Sequence, residues 1–287
     1  MEVVYKSKNF AKPLGIGLGN FDGLHIGHMT LVNILISESK LNNLHSMIYT
    51  FTEHPNNILK NKPDVPILIT TEKKTQLLSN LELDYLFYEE FDETFSRLQP
   101  EEFIKEILVR YFDIKLAVVG FDYVFGHKGR GNAGLLKKLG QKYGFKVIVI
   151  PPIKVNNNIV SSTLIRECIS CGDMENALYF LGRHYSVTGT VKRGKGIGSE
   201  LGFPTANIST GGHILLPACG VYITRTLVNG NMYKSVTNVG MNPTINPGNT
   251  KVDVETFILD FDEDIYDKQV EVFFVKKIRD EKRFKNR

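Results

Sequence analysis

Through the first 180 or so residues, short apolar runs alternate with longer stretches whose apolar positions recur every three or four residues. The short runs predict strands at 14–18, 46–51, 85–88, 116–119 and 147–150. The longer stretches predict helices at 29–41, 71–80, 100–112 and 133–143, then two more ending near Leu181. Thr71 is expected to cap the second helix ahead of Glu72. Pro100, Glu101 and Glu102 open the third, where a fixed φ and negative charge suit the unpaired amides of a helix start. Strands alternating with helices build a parallel sheet covered on both faces, an α/β fold of the Rossmann-like kind.

After Arg183 the pattern changes. Apolar and polar residues alternate over 185–191, and glycines recur at 189, 194, 196, 198, 202, 211, 212 and 220. Further short β segments follow at 220–227, 235–239, 252–261 and 270–275, broken by turn residues such as Asn229-Gly230. This predicts a compact antiparallel β-barrel or sandwich. A chain of 287 residues suits two cores better than one, and the boundary falls at about residue 183. Residues 1–183 then form the α/β domain and 184–287 the smaller β domain.

Composition narrows the function classes. Hydrophobic residues make up 42% and charged residues 23%, as in an ordinary globular protein. No apolar run reaches 18 residues, so no transmembrane helix and no membrane partner is expected. The start, Met1-Glu2-Val3-Val4-Tyr5-Lys6, is not a signal peptide, which predicts a cytoplasmic protein. The net charge of +4 comes from lysines and arginines interspersed with acids, a solvated surface rather than a nucleic-acid stripe. The three cysteines, Cys168, Cys171 and Cys219, cannot form a disulfide framework. Cys168 and Cys171 lie three apart on one predicted helix, with no second pair or nearby histidine to complete a metal site. No protein partner is legible in the sequence.

The richest chemistry lies between the first strand and the first helix, in Gly19-Asn20-Phe21-Asp22-Gly23-Leu24-His25-Ile26-Gly27-His28. A helix start offers free backbone amides and about half a positive charge, which suits phosphate. His25 and His28, three apart, can turn both imidazoles to one side, and Gly27 clears space for a polyphosphate near the backbone. Two donors there could stabilise charge on an α-phosphate and a departing pyrophosphate. A second helix start, at Ser161, Ser162, Thr163 and Arg166, repeats the logic, with Ser162 expected to cap and Arg166 to offer its fork to phosphate.

In the β domain, the loop through Gly194, Lys195 and Gly196 could curl amides around phosphates, although it lacks the ending of a Walker P-loop. Thr205 and Asn207 place two neutral oxygen ligands on one face of an extended segment, suited to Mg²⁺ held beside nucleotide phosphates.

Several segments, in order, resemble the bacterial bifunctional riboflavin kinase/FAD synthetase family over essentially the whole chain. They are the Gly19–His28 loop, Phe51-Thr52-Glu53-His54-Pro55, Gly120-Phe121-Asp122-Tyr123-Val124-Phe125-Gly126, the segment from Ser161 to Arg166, and Leu201-Gly202-Phe203-Pro204-Thr205-Ala206-Asn207. The resemblance implies an FMN adenylyltransferase joined to a β-barrel riboflavin kinase, with ATP, FMN and riboflavin as substrates and Mg²⁺ as the metal. It implies that His25, His28 and Arg166 act in adenylyl transfer. Gly19, Asn20, Phe21, Gly27, Ser161, Ser162 and Thr163 would hold ATP, and Asp22, His54, Asp122 and Phe125 would line the flavin site. Thr205 and Asn207 fall at the family's Mg–nucleotide position, and Glu255 at its catalytic base. Three departures stand out. Glu53 replaces a usual proline, Ser199 followed by Glu200 replaces a usual arginine, and the chain stops at Arg287 where relatives commonly continue into a further helix. The last two predict a weakened kinase, which leaves three readings: an enzyme with both activities, an FAD synthetase with an inactive kinase-like domain, or a silent flavin binder. His25-Ile26-Gly27-His28 also spells a class I aminoacyl-tRNA synthetase signature, but the Lys-Met-Ser-Lys-Ser partner of that signature is absent.

Overall fold

The computed structural model describes residues 1–5, 10, 13–53, 57, 65–193, 204–211, 213–243 and 250–281. His54, Gly194, Lys195, Gly196, Ser199 and Glu200 lie outside the described residues. By its contacts the chain divides into two compact units, Met1–Val160 and Ser161–Arg287. The pair of helices before residue 183 therefore groups with the β segments that follow.

The first unit is built on a six-stranded sheet, parallel throughout, in the order Glu2–Val4, Tyr85–Glu89, His45–Phe51, Leu14–Leu18, Ile114–Gly120, Lys146–Ile150. The parallel α/β layer expected from the sequence is present. The edge strand Glu2–Val4 was not expected, because three residues carry too little periodicity to stand out. Leu14–Leu18 is central and entirely buried. Its Leu14, Ile16 and Leu18 feed the core on one face of the sheet. On the other face, the helix Ile26–Leu41 lays Leu31, Val32 and Leu35 against Ile48, Leu116 and Val118. Gly17 permits that contact: a Cβ there would come within 2.7 Å of Ile48 and 3.1 Å of Leu31 and Leu35. Each such buried aliphatic side chain contributes about 1.5–3 kcal/mol by leaving water.

The helix Thr71–Ser79 is capped by Thr70, which accepts from the Lys73 amide, so the cap is one residue earlier than the expected Thr71. The segment expected to be one α-helix over 100–112 opens as Pro100–Glu102 and continues as a π-helix over Phe103–Tyr111, burying Phe103, Ile104 and Leu108.

The second unit begins with helices Ser162–Cys171 and Met174–Leu181. A closed barrel follows, in the strand order Tyr185–Lys192, Thr205–Thr210, Thr250–Ile258, Asn231–Pro243, Gly220–Val228, Gln269–Arg279. Pairing of the first and last strands closes it, which decides between barrel and sandwich. Inside lies a chain of buried hydroxyls: Thr226 to Ser235, Ser235 to Thr224, Thr224 to Thr237, and Thr237 to Thr256, each 2.8–2.9 Å apart. Cys168 is buried and Cys171 exposed. Among the described residues, no cluster of His, Cys, Asp and Glu could hold a metal, and no helix is long and apolar enough to cross a membrane.

Candidate active sites

In the parallel sheet the chain runs outward from Leu14–Leu18 in one direction, then returns to place Ile114–Gly120 on its other side. The two strands are neighbours whose following loops diverge, so the carboxyl end between them forms the crevice where open α/β sheets bind ligands. Both N-terminal motifs, Gly19–His28 and Gly120–Gly126, leave the sheet at this point.

The first loop is tightly coiled. Phe21 (φ 50°) and Leu24 (φ 40°) are fully buried yet adopt the left-handed backbone region, which costs bulky residues energy and clusters at functional sites. His25 is the N-cap of helix Ile26–Leu41, with Nδ1 accepting from the His28 amide at 3.2 Å. The helix starts three residues before the expected position, which places His28 in its first turn. The two imidazoles stack, with centroids 3.6 Å apart and planes 14° from parallel, and Phe21 packs on His28 at 5.3 Å. A Cβ on Gly27 would sit 3.2 Å from the His25 ring, so glycine keeps this stack undisturbed. The rings thus share one face, beside a positive helix end.

Beneath the loop sits a residue that the motifs did not reveal. Lys74 is only 6% exposed, and its Nζ donates to the Asn20 carbonyl at 3.0 Å and to the Thr50 hydroxyl at 3.3 Å. Burial lowers its pKa to about 8, opposed by the Asp22 carboxylate. The available signal was a lysine one helical turn before buried Leu78, where an apolar residue would be expected. Asp22 is itself buried, its Oδ1 accepting from the Leu68 amide at 2.9 Å.

In the second loop, Asp122 is exposed, as are Phe121 and Val124. Phe125 points the other way: it is buried, stacked on Tyr123 at 5.6 Å and close to Phe103. Its ring supports the loop from within the core.

In the second unit, helix Ser162–Cys171 is capped by Ser161, whose Oγ accepts from the Leu164 amide at 3.2 Å. The expectation that Ser162 caps it is therefore corrected: the helix starts at Ser162, so the residue with extended backbone is the preceding serine. Thr163 and Arg166 fall in its first turns.

On the barrel, Asn207 pairs directly with Glu255, and Glu255 with Asn238. Ile208, Val254 and Thr256 are buried toward the interior, so the alternation turns Thr205, Asn207 and Glu255 to the outer face. Two neutral oxygens and a carboxylate on one patch suit a hydroxyl substrate beside a metal–nucleotide complex.

Family models match both parts of the chain. The family model for FAD synthetase matches residues 7–164, and that for riboflavin kinase matches residues 181–287. The bifunctional riboflavin kinase/FMN adenylyltransferase of Buchnera aphidicola (Schizaphis graminum) is 36% identical over 280 residues, covering 97% of this chain and 89% of that protein. The enzyme of the same name from Haemophilus influenzae is 33% identical over 93% of this chain and 86% of its own length. A crystal structure titled as a macrolide-efflux protein, from Streptococcus pneumoniae, superposes with a TM-score of 0.89 at 28% identity over 99% of this chain and 93% of its own. The chain belongs to the bifunctional riboflavin kinase/FMN adenylyltransferase family, and it is an FMN adenylyltransferase.

Proposed function

We propose that residues 1–183 carry out adenylyl transfer and residues 184–287 riboflavin phosphorylation, through the groups described above. The chain makes FMN from riboflavin and ATP, then FAD from FMN and ATP. In the second reaction a phosphate oxygen of FMN forms a bond to the α-phosphorus of ATP, and the bond from that phosphorus to pyrophosphate breaks. His25 and His28 donate to the polyphosphate as charge moves onto the leaving group, assisted by the helix end and by Gly19, Asn20, Phe21 and Gly27. Ser161, Ser162, Thr163 and Arg166, at the start of their own helix, would bind ATP phosphate. Asp122 with exposed Phe121 and Val124 meets the flavin, together with His54; Asp22 and Phe125 act from below by holding the loops. Nothing calls for a covalent enzyme intermediate, because the FMN phosphate is itself the nucleophile.

In the first reaction, Glu255 takes the proton from the ribityl hydroxyl as that oxygen attacks the γ-phosphorus and ADP leaves. Thr205 and Asn207 would hold Mg²⁺ against the nucleotide, and the loop of Gly194, Lys195 and Gly196 would cover its phosphates. When bound, the ion neutralises polyphosphate charge. With ATP, riboflavin and FMN as substrates, we place the protein in the cytoplasm.

The observation that carries the adenylyl-transfer assignment is the His25–His28 stack at a helix start in the sheet's crevice. Incubating the purified chain with Mg-ATP and either riboflavin or FMN, with products separated by chromatography, tests both halves. FAD from FMN and FMN from riboflavin are expected; riboflavin left unconverted would withdraw the kinase assignment, and absence of FAD would withdraw the other.

A further inference from the structure

Lys74 stands where the packing alone would favour a leucine or methionine. Burying an ammonium costs several kcal/mol unless its donors and charge are well matched. Three groups supply that match. The Asn20 carbonyl accepts from Nζ at 3.0 Å, and the Thr50 hydroxyl, from strand His45–Phe51, accepts at 3.3 Å while donating to the same carbonyl at 3.0 Å. The Asp22 carboxylate supplies the opposing charge. From strand Tyr85–Glu89, the Tyr88 ring lies 5.8 Å from Nζ, and Glu72 and Tyr5 act on the Tyr88 hydroxyl. Asn20 and Asp22 bracket Phe21, the first of the two residues forced into left-handed backbone. Such strain persists only where the surroundings over-determine it.

We infer that Lys74 is a positioning residue for adenylyl transfer, whose buried ammonium holds Asn20 and balances Asp22 and so fixes the turn on which His25 and His28 stack. The inference rests on the FMN adenylyltransferase reading and extends it to a residue outside the motifs. It has a signature that mere packing lacks. Burial brings the lysine down to about 8, within reach of an assay, whereas burial pushes Tyr88 up to about 12 and out of the way. The folded pKa is below the unfolded one. Between the two, the unfolded chain binds the extra proton, so losing it makes the fold more stable as pH rises. Adenylyl transfer should move the opposite way, falling through the same window.

The test follows both transfers in the full-length chain from pH 7 to 10 with saturating Mg-ATP, for the wild type, Lys74→Met and Lys74→Arg. Wild-type FAD formation should fall around pH 8, to roughly a tenth one unit higher, while riboflavin phosphorylation by the same chain does not share that limb. Lys74→Met should make FAD on the order of a hundredfold more slowly at pH 7.5 and show no alkaline limb. Lys74→Arg keeps its charge throughout and should lose the limb as well. The inference is overturned if wild-type FAD formation is flat through pH 9, if it falls in parallel with the kinase rate, or if Lys74→Met matches the wild type. Should either variant fail to fold, the wild-type profiles decide by themselves. Absence of any FAD from FMN at every pH would sink the adenylyltransferase reading itself, a different result from activity with a flat profile.

Discussion

Asn207 stands directly across from Glu255, in the antiparallel pairing of strands Thr205–Thr210 and Thr250–Ile258. Opposed residues of a sheet keep their Cβ atoms about 4.5–5.5 Å apart on one face, so a proposed metal ligand and a proposed base are held together by backbone hydrogen bonds. Glu255→Gln keeps that pairing and removes only the basic oxygen. Riboflavin phosphorylation should drop by about 10²–10⁴-fold, with FAD formation from added FMN unchanged. Chromatography of both products checks it, and an undiminished kinase rate would remove Glu255 from the mechanism.

His28 is packed between Phe21 and His25, with its ring on the face assigned to the polyphosphate. His28→Ala should raise the barrier to FAD formation by about 2.7–4 kcal/mol, the usual loss for one such donor. Thermal unfolding and riboflavin phosphorylation should stay near wild type. Unchanged FAD turnover would refute the assigned role.

Gly27→Ala separates site geometry from stability. Alanine in a helix is favoured over glycine by roughly 0.5–1 kcal/mol, so the fold has no reason to weaken on that account. The new methyl, however, would stand 3.2 Å from the His25 ring and push it off the His28 amide. The expected outcome is a higher KM for ATP in FAD formation, with Tm unchanged or raised. A wild-type KM would mean that the ring tolerates displacement.

Thr237 is an internal member of the barrel's hydroxyl chain, bonded to both Thr224 and Thr256. Thr237→Val preserves shape and leaves two buried hydroxyls short of a partner, at about 1–3 kcal/mol. Denaturant unfolding of the chain should show the loss in the transition that abolishes kinase activity. Thr237→Ser, which restores a hydroxyl, should recover part of it.

The motifs were readable because each is local. A helix start with histidines three apart is fixed by a few consecutive residues, and His25 and His28 stack as their spacing allowed. Where the reading was off, the error was also local: a residue at Thr70 and Ser161, three at the helix start beside His25. Caps depend on which residue keeps extended backbone, and neighbouring serines or threonines offer nearly equal choices. Phe125 shows a different limit. It belongs to a flavin-site motif, yet packing against Phe103 and Tyr123 draws its ring into the core and leaves Phe121 and Val124 outside.

By itself the sequence determined the two kinds of layer, the order of strands and helices along the chain, and the residues offered at each helix start, since periodicity and capping act over single turns. Only the tertiary structure decided that the β segments close into a barrel, that Asn207 meets Glu255, and that a lysine from a polar helix ends beneath the histidine turn. Those facts depend on strand register and on long-range burial, in which residues tens of positions apart compete for the same partners. No local pattern encodes the outcome of that competition.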